Sequence, residues 1–301
     1  MTRLPGGIGP EHGKAAAAEE AAAVARLREI HAEILSRAPE HDLVPSLERI
    51  EMVLRLLGDP QKAFRVVHVT GTNGKTSTTR MIERLVREHG LRTGRFTSPH
   101  LADVRERIAI DGEPVSPARF VDVYTEISPY LDLVDADLGE RGHPRLTYFE
   151  VLVAMAYATF ADAPVDVAVV EVGMGGSWDA TNVADGEIAV VMPVAVDHER
   201  FLGYDVATIA AEKAGIIKPG AFAVLASSPE DADSVLMSKV AETGARVVRE
   251  DTDFGVVWRD VAVGGQLLTL RGLGAEYSEV YLPLFGAHQA SNAAVALAAT
   301  E

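Results

Sequence analysis

The chain alternates between short apolar runs and longer segments in which apolar residues recur every three or four positions. Runs rich in Val, such as residues 64–69, 165–172 and 187–194, are typical of buried strands in a parallel sheet. The segments between them carry one apolar stripe, which is typical of a helix that packs on a sheet. This alternation predicts an α/β fold with a doubly wound, mostly parallel sheet.

The same pattern sets the bounds of the predicted elements. Strands are predicted at residues 64–69, 91–97, 165–172, 187–194 and 219–226, and a hairpin at residues 107–115. Helices are predicted at residues 14–37, 47–57, 117–134, 147–160, 208–215, 230–242 and 292–299, and after residue 74. Residues 246–283 hold β-rich segments with glycine turns, which predicts a small antiparallel appendage. Residues 1–13, rich in Gly and Pro, are expected to be a disordered lead-in to one domain, residues 14–301.

Composition limits the classes of function that the chain can serve. It has 301 residues, 48% hydrophobic and 24% charged, as in ordinary globular proteins. The formal net charge of −16 argues against general affinity for nucleic acid or a membrane surface, because both favour basic patches. The absence of cysteine excludes disulfides, thiolate metal sites and a thiol nucleophile. No apolar run approaches the ~20 residues of a membrane span and no secretion signal precedes the first helix, so we expect a cytoplasmic protein.

Residues 69–80, VTGTNGKTSTTR, follow a predicted strand and open a helix. In such a turn, glycines let backbone N–H groups approach phosphate, Lys75 supplies a positive charge, and the Thr76 hydroxyl can reach Mg²⁺. The common pattern G-x-x-x-x-G-K-[ST] would place its first glycine at position 69, where this chain has Val69. The segment is therefore a variant phosphate loop (P-loop), and the alternative is an ordinary βα turn with a solvated lysine.

Oxygen or imidazole side chains lie at the ends of three other predicted strands. Ser98 follows the strand at 91–97, Glu171 lies near the end of the strand at 165–172, and His198 follows the strand at 187–194. The carboxyl ends of parallel strands meet at the edge where open α/β sheets bind ligands. An acid beside a phosphate loop commonly holds magnesium. The alternatives are a Ser-Pro turn, a solvated carboxylate and a structural histidine.

Two further segments are candidates that also have plain structural explanations. Residues 148–150, YFE, begin an apolar helix, and their side chains could stack against an aromatic ligand at the helix N-terminus. The alternative is that Phe149 packs in the core and Glu150 offsets the helix dipole. Residues 173–182, GMGGSWDATN, bring three glycines to a strand end, which favours close approach of the backbone to a ligand. Lys213 precedes Gly215, a position where lysine also helps to end a helix.

Together these motifs resemble those of the Mur ligase superfamily and, within it, the folylpolyglutamate synthase/dihydrofolate synthase family of actinobacterial type. The similarity extends over nearly the whole chain from about Leu43. It rests on GTNGKTS at Gly71, TSPHL at Thr97, TYFE at Thr147, EVGMGG at Glu171, DATN at Asp179, DH at Asp197, EKAGI at Glu212 and FGAHQASN at Phe285. The resemblance implies the central ATP-binding domain of that superfamily.

The resemblance also implies an ATP-dependent amide ligase that adds L-glutamate to dihydropteroate, to a tetrahydrofolate (poly)glutamate, or to both. A carboxylate is a poor electrophile because its leaving group would be oxide. Phosphorylation by ATP supplies a better leaving group, namely phosphate. Metal ions neutralise the charge that gathers during the transfer. The implied partners are therefore ATP, two Mg²⁺ ions, L-glutamate and dihydropteroate or folates, with neither nucleic acid nor membrane, and we expect a monomer.

Site residues of the family match individual positions of this chain. The resemblance implies one Mg²⁺ at Ser98 and Glu171, a second at Glu171 and His198, and a Lys213 that CO₂ converts into an anionic metal ligand. The implied catalytic residues are Lys75, Glu171, His198 and Lys213. The implied nucleotide-binding residues are Thr72, Asn73, Gly74, Lys75, Thr76 and Asn292. The implied pterin-binding residues are Thr147, Tyr148, Phe149, Glu150, Trp178, Asp179 and Ala180, joined by the turn at 43–45.

Two features depart from the family pattern. Ser177 stands where the family usually has Arg, so the resemblance does not carry over one polar or cationic contact near the substrate loop. The family continues beyond the position of Glu301 into a smaller C-terminal domain, so we expect this chain to be the N-terminal domain alone, with little turnover by itself. Two alternatives are open: a superfamily ligase that extends a peptidoglycan precursor, which TYFE and DATN argue against, and a fragment that only binds nucleotide or folate.

Overall fold

A sheet of eight strands crosses the computed structural model, which describes residues 10–38, 45–196 and 205–301. Its strands are β1 (Arg65–Thr70), β2 (Thr93–Phe96), β3 (Ile108–Ile110), β4 (Glu113–Pro114), β5 (Val167–Glu171), β6 (Ile188–Val191), β7 (Phe222–Leu225) and β8 (Arg246–Arg249). They lie in the order β4-β3-β2-β5-β1-β6-β7-β8. From β2 to β8 all neighbours are parallel, whereas β3 and β4 are antiparallel and form one edge.

The described helices are α1 (Pro10–Leu35), α2 (Glu48–Leu56), α3 (Lys75–Glu88), α4 (Pro117–Glu140), α5 (Tyr148–Asp162), α6 (Val206–Lys213), α7 (Glu230–Thr243) and α8 (Ala287–Thr300). Their caps follow from the sequence. Ser116 accepts a hydrogen bond from the Arg119 N–H at the start of α4, and Thr147 and Glu150 form a reciprocal capping box at the start of α5. None of the described helices is both long and apolar enough to cross a membrane.

Both faces of the sheet are covered, as the unbroken apolar runs of the central strands predict. Successive residues of β1 point to opposite faces: Val66 belongs to a core with residues of α1, α2, α4 and α5, whereas Val67 and Val69 belong to a core with residues of α3 and α8. A third core joins α6 and α7 to β6 and β7. The predicted doubly wound α/β fold is confirmed.

A second sheet of three antiparallel strands packs beside α8. It consists of β9 (Gly255–Ala262), β10 (Gly265–Arg271) and β11 (Glu276–Leu282), with β10 in the middle. Leu268 and Leu270 of β10 are buried in the same core as α8. The predicted antiparallel appendage is therefore confirmed, but its predicted start at residue 246 is wrong. Residues 246–249 form β8, which pairs in parallel with β7 and belongs to the main sheet.

Several predicted helices differ in length from those observed. Helix α1 begins at Pro10 and so takes in residues 10–13 of the predicted lead-in, while residues 1–9 lie outside the described residues. Helix α4 continues six residues past the predicted end at 134, to Glu140. Helix α8 begins at Ala287 rather than at position 292. Packing extends α4, where Leu138 is buried, and α8, where Ala290 is buried, beyond what their own periodicity indicates. Residues 17–22 of α1 are exposed, so the early start of this helix follows the helix propensity of its alanine-rich sequence.

Candidate functional site

The phosphate loop connects β1 to α3 at the carboxyl edge of the sheet. Gly71 has φ 141° and lies against Met192, so that a Cβ at this position would clash with the Met192 side chain. Gly74 has φ 83° at the N-terminus of α3, a left-handed conformation that favours glycine. The Lys75 ammonium donates to the carbonyl oxygens of Gly71 at 3.0 Å and Thr72 at 3.3 Å. The lysine is therefore folded over its own loop.

Glu171 lies beside this loop at the end of β5, where it pairs in register with Val69 of β1. Its carboxylate accepts hydrogen bonds from the Thr76 hydroxyl at 2.8 Å and from the Ser98 N–H at 3.3 Å. Burial raises the pKa of Glu171 to about 7, although the hydrogen bond from Thr76 and the charge of Lys75 oppose the rise. The structure thus places Ser98 and Glu171 next to the phosphate loop, and their predicted role in binding metal stays a prediction.

Two other predicted site residues also meet the loop. The buried Lys213, the last residue of α6, donates from Nζ to the Gly71 carbonyl oxygen at 2.9 Å. Asn292 is buried in α8, and its amide oxygen lies close to the α-carbon of Gly74, where a Cβ would strike it. The loop is therefore surrounded by side chains from α6, α8 and β5, which are far apart in sequence.

Thr72, Asn73 and His198 complete the predicted nucleotide and metal set. The Thr72 hydroxyl exchanges hydrogen bonds with the backbone of Ala195 at 3.0 Å, and this ties the loop to the segment that follows β6. Asn73 lies at the tip of the loop between β1 and α3. His198 lies outside the described residues, so its predicted role as a metal ligand stays a prediction.

A cleft of about 270 Å³ opens next to the phosphate loop. Lys75, Ser98 and Pro99 line its phosphate end. Of the predicted pterin-binding residues, those that line the cleft are Thr147, Phe149, Glu150, Trp178, Asp179 and Ala180. Pro45 lines it as well, while residues 43 and 44 of the predicted turn lie outside the described residues. Two segments that were singled out separately in the sequence thus share one cavity with the phosphate-loop lysine.

Tyr148 differs from its neighbours because it is absent from the residues that line this cleft. Its hydroxyl lies 3.3 Å from Nε2 of His31 in α1, and the Arg107 guanidinium stands 5.3 Å from the centre of its ring. The side chain therefore packs α5 against α1 and the segment before β3. A role of Tyr148 in stacking a ligand has no support in this arrangement.

Arg49 is a cleft residue that the sequence analysis missed. It is buried in α2, and its guanidinium forms an ion pair with the Glu150 carboxylate at 3.0 Å. Glu150 also accepts from the Thr147 N–H at 2.7 Å. The available signal was the position of Arg49 next to Ile50 and one helical turn before Val53, on the apolar and therefore buried face of α2.

Asp179 is fully buried and ties the glycine-rich loop together. Its two carboxylate oxygens accept from the Thr181 N–H at 3.0 Å and from the Met174 N–H at 2.9 Å. Burial raises the pKa of Asp179 to about 6, against the effect of these hydrogen bonds. Gly173 in the same loop lies under the ring of Phe149, in a space where a Cβ would clash with the ring. The loop thus forms a compact wall of the cleft.

Ser177, which stands where the family usually has arginine, connects this wall to the residues around Lys213. Its hydroxyl donates to the carbonyl oxygen of Glu212 at 3.1 Å, and its backbone lies against Gly215. The Glu212 carboxylate accepts from the Trp178 N–H at 3.3 Å. Glu212, next to Lys213, is therefore hydrogen-bonded directly to the glycine-rich loop that lines the cleft.

Comparisons with known proteins agree with this geometry. The sequence profile of the Mur ligase middle domain matches residues 133–300. A dihydrofolate synthase/folylpolyglutamate synthase of Mycobacterium tuberculosis is 50% identical over 288 residues, which are 92% of this chain and 59% of that protein. This chain therefore spans about three fifths of the length of such a relative.

Solved structures show the same fold. A folylpolyglutamate synthase of Mycobacterium tuberculosis, complexed with ADP and AMPPCP, superposes on this chain with a TM-score of 0.87 and is 49% identical to it in sequence. The matched region is 92% of this chain and 62% of that protein's chain. A folylpolyglutamate synthase (FPGS) complexed with AMPPCP and folate superposes with a TM-score of 0.84 and is 37% identical in sequence. The matched region is 90% of this chain and 65% of that protein's chain.

Proposed function

Because the chain belongs to the family of the Mur ligase middle domain, we propose that it is the nucleotide-binding part of an ATP-dependent ligase that adds L-glutamate to dihydropteroate or to folates. One observation carries the proposal: Lys75 of the phosphate loop lines the same cleft as Phe149, Trp178 and Asp179. A cleft with a cationic phosphate loop at one end and an aromatic wall at the other suits a substrate whose carboxylate must meet the terminal phosphate of ATP. The names of similar proteins support this class of substrate.

The proposed reaction has two transfers. A carboxylate oxygen of the pteroate or folate attacks the γ-phosphorus of ATP, ADP leaves, and an acyl phosphate forms. The amine of L-glutamate then attacks the acyl carbon, inorganic phosphate leaves, and the nitrogen loses a proton as the amide forms. In this scheme Lys75 and the N–H groups at the start of α3 hold the phosphates, because a helix N-terminus and a lysine both favour anions. Phe149 and Trp178 orient the aromatic part of the substrate and exclude water.

Magnesium fits the oxygen atoms beside the phosphate loop. Glu171 and the Thr76 hydroxyl are hard oxygen donors only 2.8 Å apart. Within the described ranges, no group of three or more His, Cys, Asp or Glu side chains could hold a metal ion. A nucleotide-bound Mg²⁺ commonly needs only one or two carboxylates, since phosphates and water fill its other positions. We propose two ions, one held by Ser98 and Glu171 and a second by Glu171 and His198, and both would neutralise phosphate charge.

Lys213 is the proposed site of carboxylation by CO₂. It is buried and lies at the Gly71 carbonyl, close to the phosphates that the loop would hold. Growth with ¹³C-bicarbonate should give a carbamate carbon signal in the wild-type chain that the Lys213→Ala variant lacks. A spectrum without that signal at neutral pH and saturating bicarbonate would contradict the assignment. Partial rescue of Lys213→Ala by short carboxylates in an activity assay would support it.

Ligand binding distinguishes this proposal from its alternatives. With AMPPCP and Mg²⁺ present, the chain should bind dihydropteroate saturably and should not bind a UDP-sugar peptide, as titration calorimetry can show. The reverse preference would favour a ligase of peptidoglycan precursors. ADP release with dihydropteroate, L-glutamate and Mg²⁺ then separates a ligase from a fragment that only binds ligands. We expect slow turnover from these 301 residues, and a full rate would refute the need for a further domain.

The cellular setting is part of the same proposal. ATP and folate cofactors are intracellular small molecules, so we assign the protein to the cytoplasm. We also propose that it acts as a monomer, because the cleft is built from elements of one chain. Light scattering after size-exclusion chromatography tests this, and a concentration-independent dimer would contradict it.

A further inference from the structure

A histidine lies in the centre of the main sheet, beneath the loop that walls the cleft. His68 of β1 is fully buried between β5 and β6, three residues before Gly71, where the chain leaves the strand. Its Nε2 atom stands 2.9 Å from the Thr181 hydroxyl. This hydroxyl in turn donates to the carboxylate of Asp179. A line of three side chains thus runs from the sheet to the cleft.

The chemistry of these groups fixes the direction of the hydrogen bonds. An ionised carboxylate only accepts, so the single hydroxyl proton of Thr181 belongs to the bond with Asp179. The hydroxyl oxygen can then only accept from His68, and Nε2 must carry the proton. Burial, with a smaller effect of the Lys218 charge, lowers the pKa of His68 to about 3. The ring is therefore neutral near pH 7, with a proton on Nε2 and none on Nδ1.

The other ring nitrogen shows that placing a histidine here raises the free energy of the folded state. Nδ1 of His68 is buried and has no hydrogen-bond partner among the atoms of the described residues. A buried acceptor without a partner destabilises the folded state, and an apolar side chain of similar size would avoid that penalty. The donor at Nε2 is the feature of His68 that an apolar residue could not supply.

The end of the line is the substrate wall of the cleft. Asp179 accepts from Thr181 on one oxygen and from the Met174 N–H on the other. Met174 and Asp179 both line the cleft, as do Trp178 and Ala180. From the opposite side, the Tyr157 hydroxyl of α5 donates to the Thr181 carbonyl at 2.7 Å. Thr181 is therefore held from two sides, and it holds Asp179.

We propose that His68 is a positioning residue for the substrate side of the cleft: through Thr181 it orients Asp179 and with it the wall formed by residues 173–180. The identity of the bound ligand rests on the proposed function, whereas the orienting role does not. His68 touches neither nucleotide nor substrate in this scheme and acts through its neighbours.

Hydrogen exchange of the chain without ligand tests the orienting role. His68→Leu removes the donor, whereas His68→Gln places an amide N–H near the position of Nε2 and is the matched control. In His68→Leu the N–H groups of Met174 and Thr181 should exchange about tenfold faster, because local opening becomes easier. In His68→Gln they should stay within about threefold of wild type. Exchange at Thr78 in α3 reports the phosphate-loop helix and should not change.

Binding to the same variants tests the consequence for the cleft. The affinity for dihydropteroate should fall about tenfold in His68→Leu and at most about threefold in His68→Gln. The affinity for AMPPCP should stay within about twofold in both variants. A purely structural role would weaken both ligands together.

Other outcomes would overturn the proposal. Equal exchange at residues 173–182 in the leucine and glutamine variants contradicts it, and so does an equal loss of both ligands in His68→Leu. If His68→Leu does not fold, Thr181→Val and Thr181→Ser form a second pair, since only serine keeps the hydroxyl. Faster exchange at Met174 in the valine variant but not in the serine variant supports the role of Thr181, and equal rates refute it. If the wild-type chain fails to bind dihydropteroate, the proposed function fails while the exchange experiment still decides the role of His68.

Discussion

The two ends of the cleft hold buried charge in different ways. At the phosphate end (Lys75, Glu171 and Lys213), both lysines donate to carbonyl oxygens of the loop, and Glu171 accepts from a hydroxyl and an N–H. At the substrate end, Arg49 and Glu150 form a buried ion pair. Glu171 thus accepts hydrogen bonds from neutral groups, as Asp179 does in the wall of the cleft, whereas Arg49 and Glu150 set opposite charges against each other.

We propose that this difference separates Glu171, which would bind a cation, from Arg49 and Glu150, which stabilise the fold. A buried carboxylate held by neutral donors raises the free energy of the folded state, and a bound cation can lower it again. A paired arginine and glutamate neutralise each other's charge. Removing one of them leaves the other as an unpaired charge in the interior, where the dielectric constant is low. We therefore expect substitution of Lys75 to change ligand binding, substitution of Glu171 to change how stability depends on pH, and substitution of Arg49 to lower stability.

The largest effect is expected for Arg49→Ala. Glu150 would then be a buried carboxylate without its cation, and the free energy of unfolding should fall by about 3–5 kcal/mol. Urea unfolding followed by circular dichroism measures this. The control is Arg84→Ala in α3, which breaks an exposed pair with Glu88 and should cost less than about 0.5 kcal/mol. Similar losses in the two variants would contradict the contrast between the two ends.

Glu171→Gln should stabilise the chain at alkaline pH. Burial raises the pKa of Glu171 from 4.5 to about 7, so between these values the folded state keeps a proton that the unfolded state has released. The wild type therefore loses stability as pH rises through this window, by about 3 kcal/mol in total. The glutamine variant does not pay this cost and should be more stable by that amount at pH 8, with no difference at pH 4.

Urea unfolding at these two pH values, without metal, tests the effect of Glu171→Gln. Glu187→Gln is the control, because the Glu187 side chain is 62% exposed and should leave the pH profile unchanged. The Glu171 variant should also lose the part of its nucleotide affinity that depends on Mg²⁺. A variant whose pH profile matches that of the wild type would show that Glu171 titrates normally.

Lys75→Ala should greatly weaken the binding of AMPPCP without unfolding the chain. Loss of a charge-assisted contact with phosphate should weaken binding by about a hundredfold, or about 2.8 kcal/mol. The unfolding free energy should change by less than about 1 kcal/mol, since the half-buried Lys75 donates only to carbonyl oxygens of its own loop. Lys62→Ala, at an exposed lysine paired with Asp59, is the control in the same titration. Unchanged affinity in Lys75→Ala would remove the basis for the phosphate-loop assignment.

The smallest effect is expected at the cap of α5. Thr147→Ala removes the hydroxyl that accepts from the Glu150 N–H and should lower the unfolding free energy by about 1 kcal/mol. Thr147→Ser keeps the cap and should remain within about 0.5 kcal/mol of wild type. Thermal unfolding can resolve the two variants. An alanine variant as stable as the serine variant would show that the Arg49–Glu150 pair holds this helix start without the cap.

Much of the site could be predicted because it lies at strand ends. The sequence located the phosphate loop and Glu171, and parallel pairing of β1 with β5 brings them together by a rule that holds for any such sheet. It also selected residues 147–150 and 178–180, most of which line the cleft. Tyr148 shows the limit, since its neighbours in sequence face the cleft while its own ring packs against His31 and Arg107.

Other features required partners that are distant in the sequence. Arg49 and Glu150 are 101 residues apart, and His68 and Thr181 are 113 apart. No local periodicity indicates that these side chains meet. The strand at residues 246–249 poses the same problem, because its composition suits either sheet and only its parallel pairing with β7 assigns it to the main one.

The sequence by itself determined the order of strands and helices, the glycine turn that opens α3, and the acid at the end of β5. These features depend on interactions within a few residues, namely apolar periodicity, backbone freedom at glycine and helix capping. Only the tertiary structure decided which buried charges are paired and which line the cleft. That outcome depends on how α2 packs on α5 and how the loop after β5 lies over β1, and a buried polar side chain is satisfied only by groups that the whole fold brings to it.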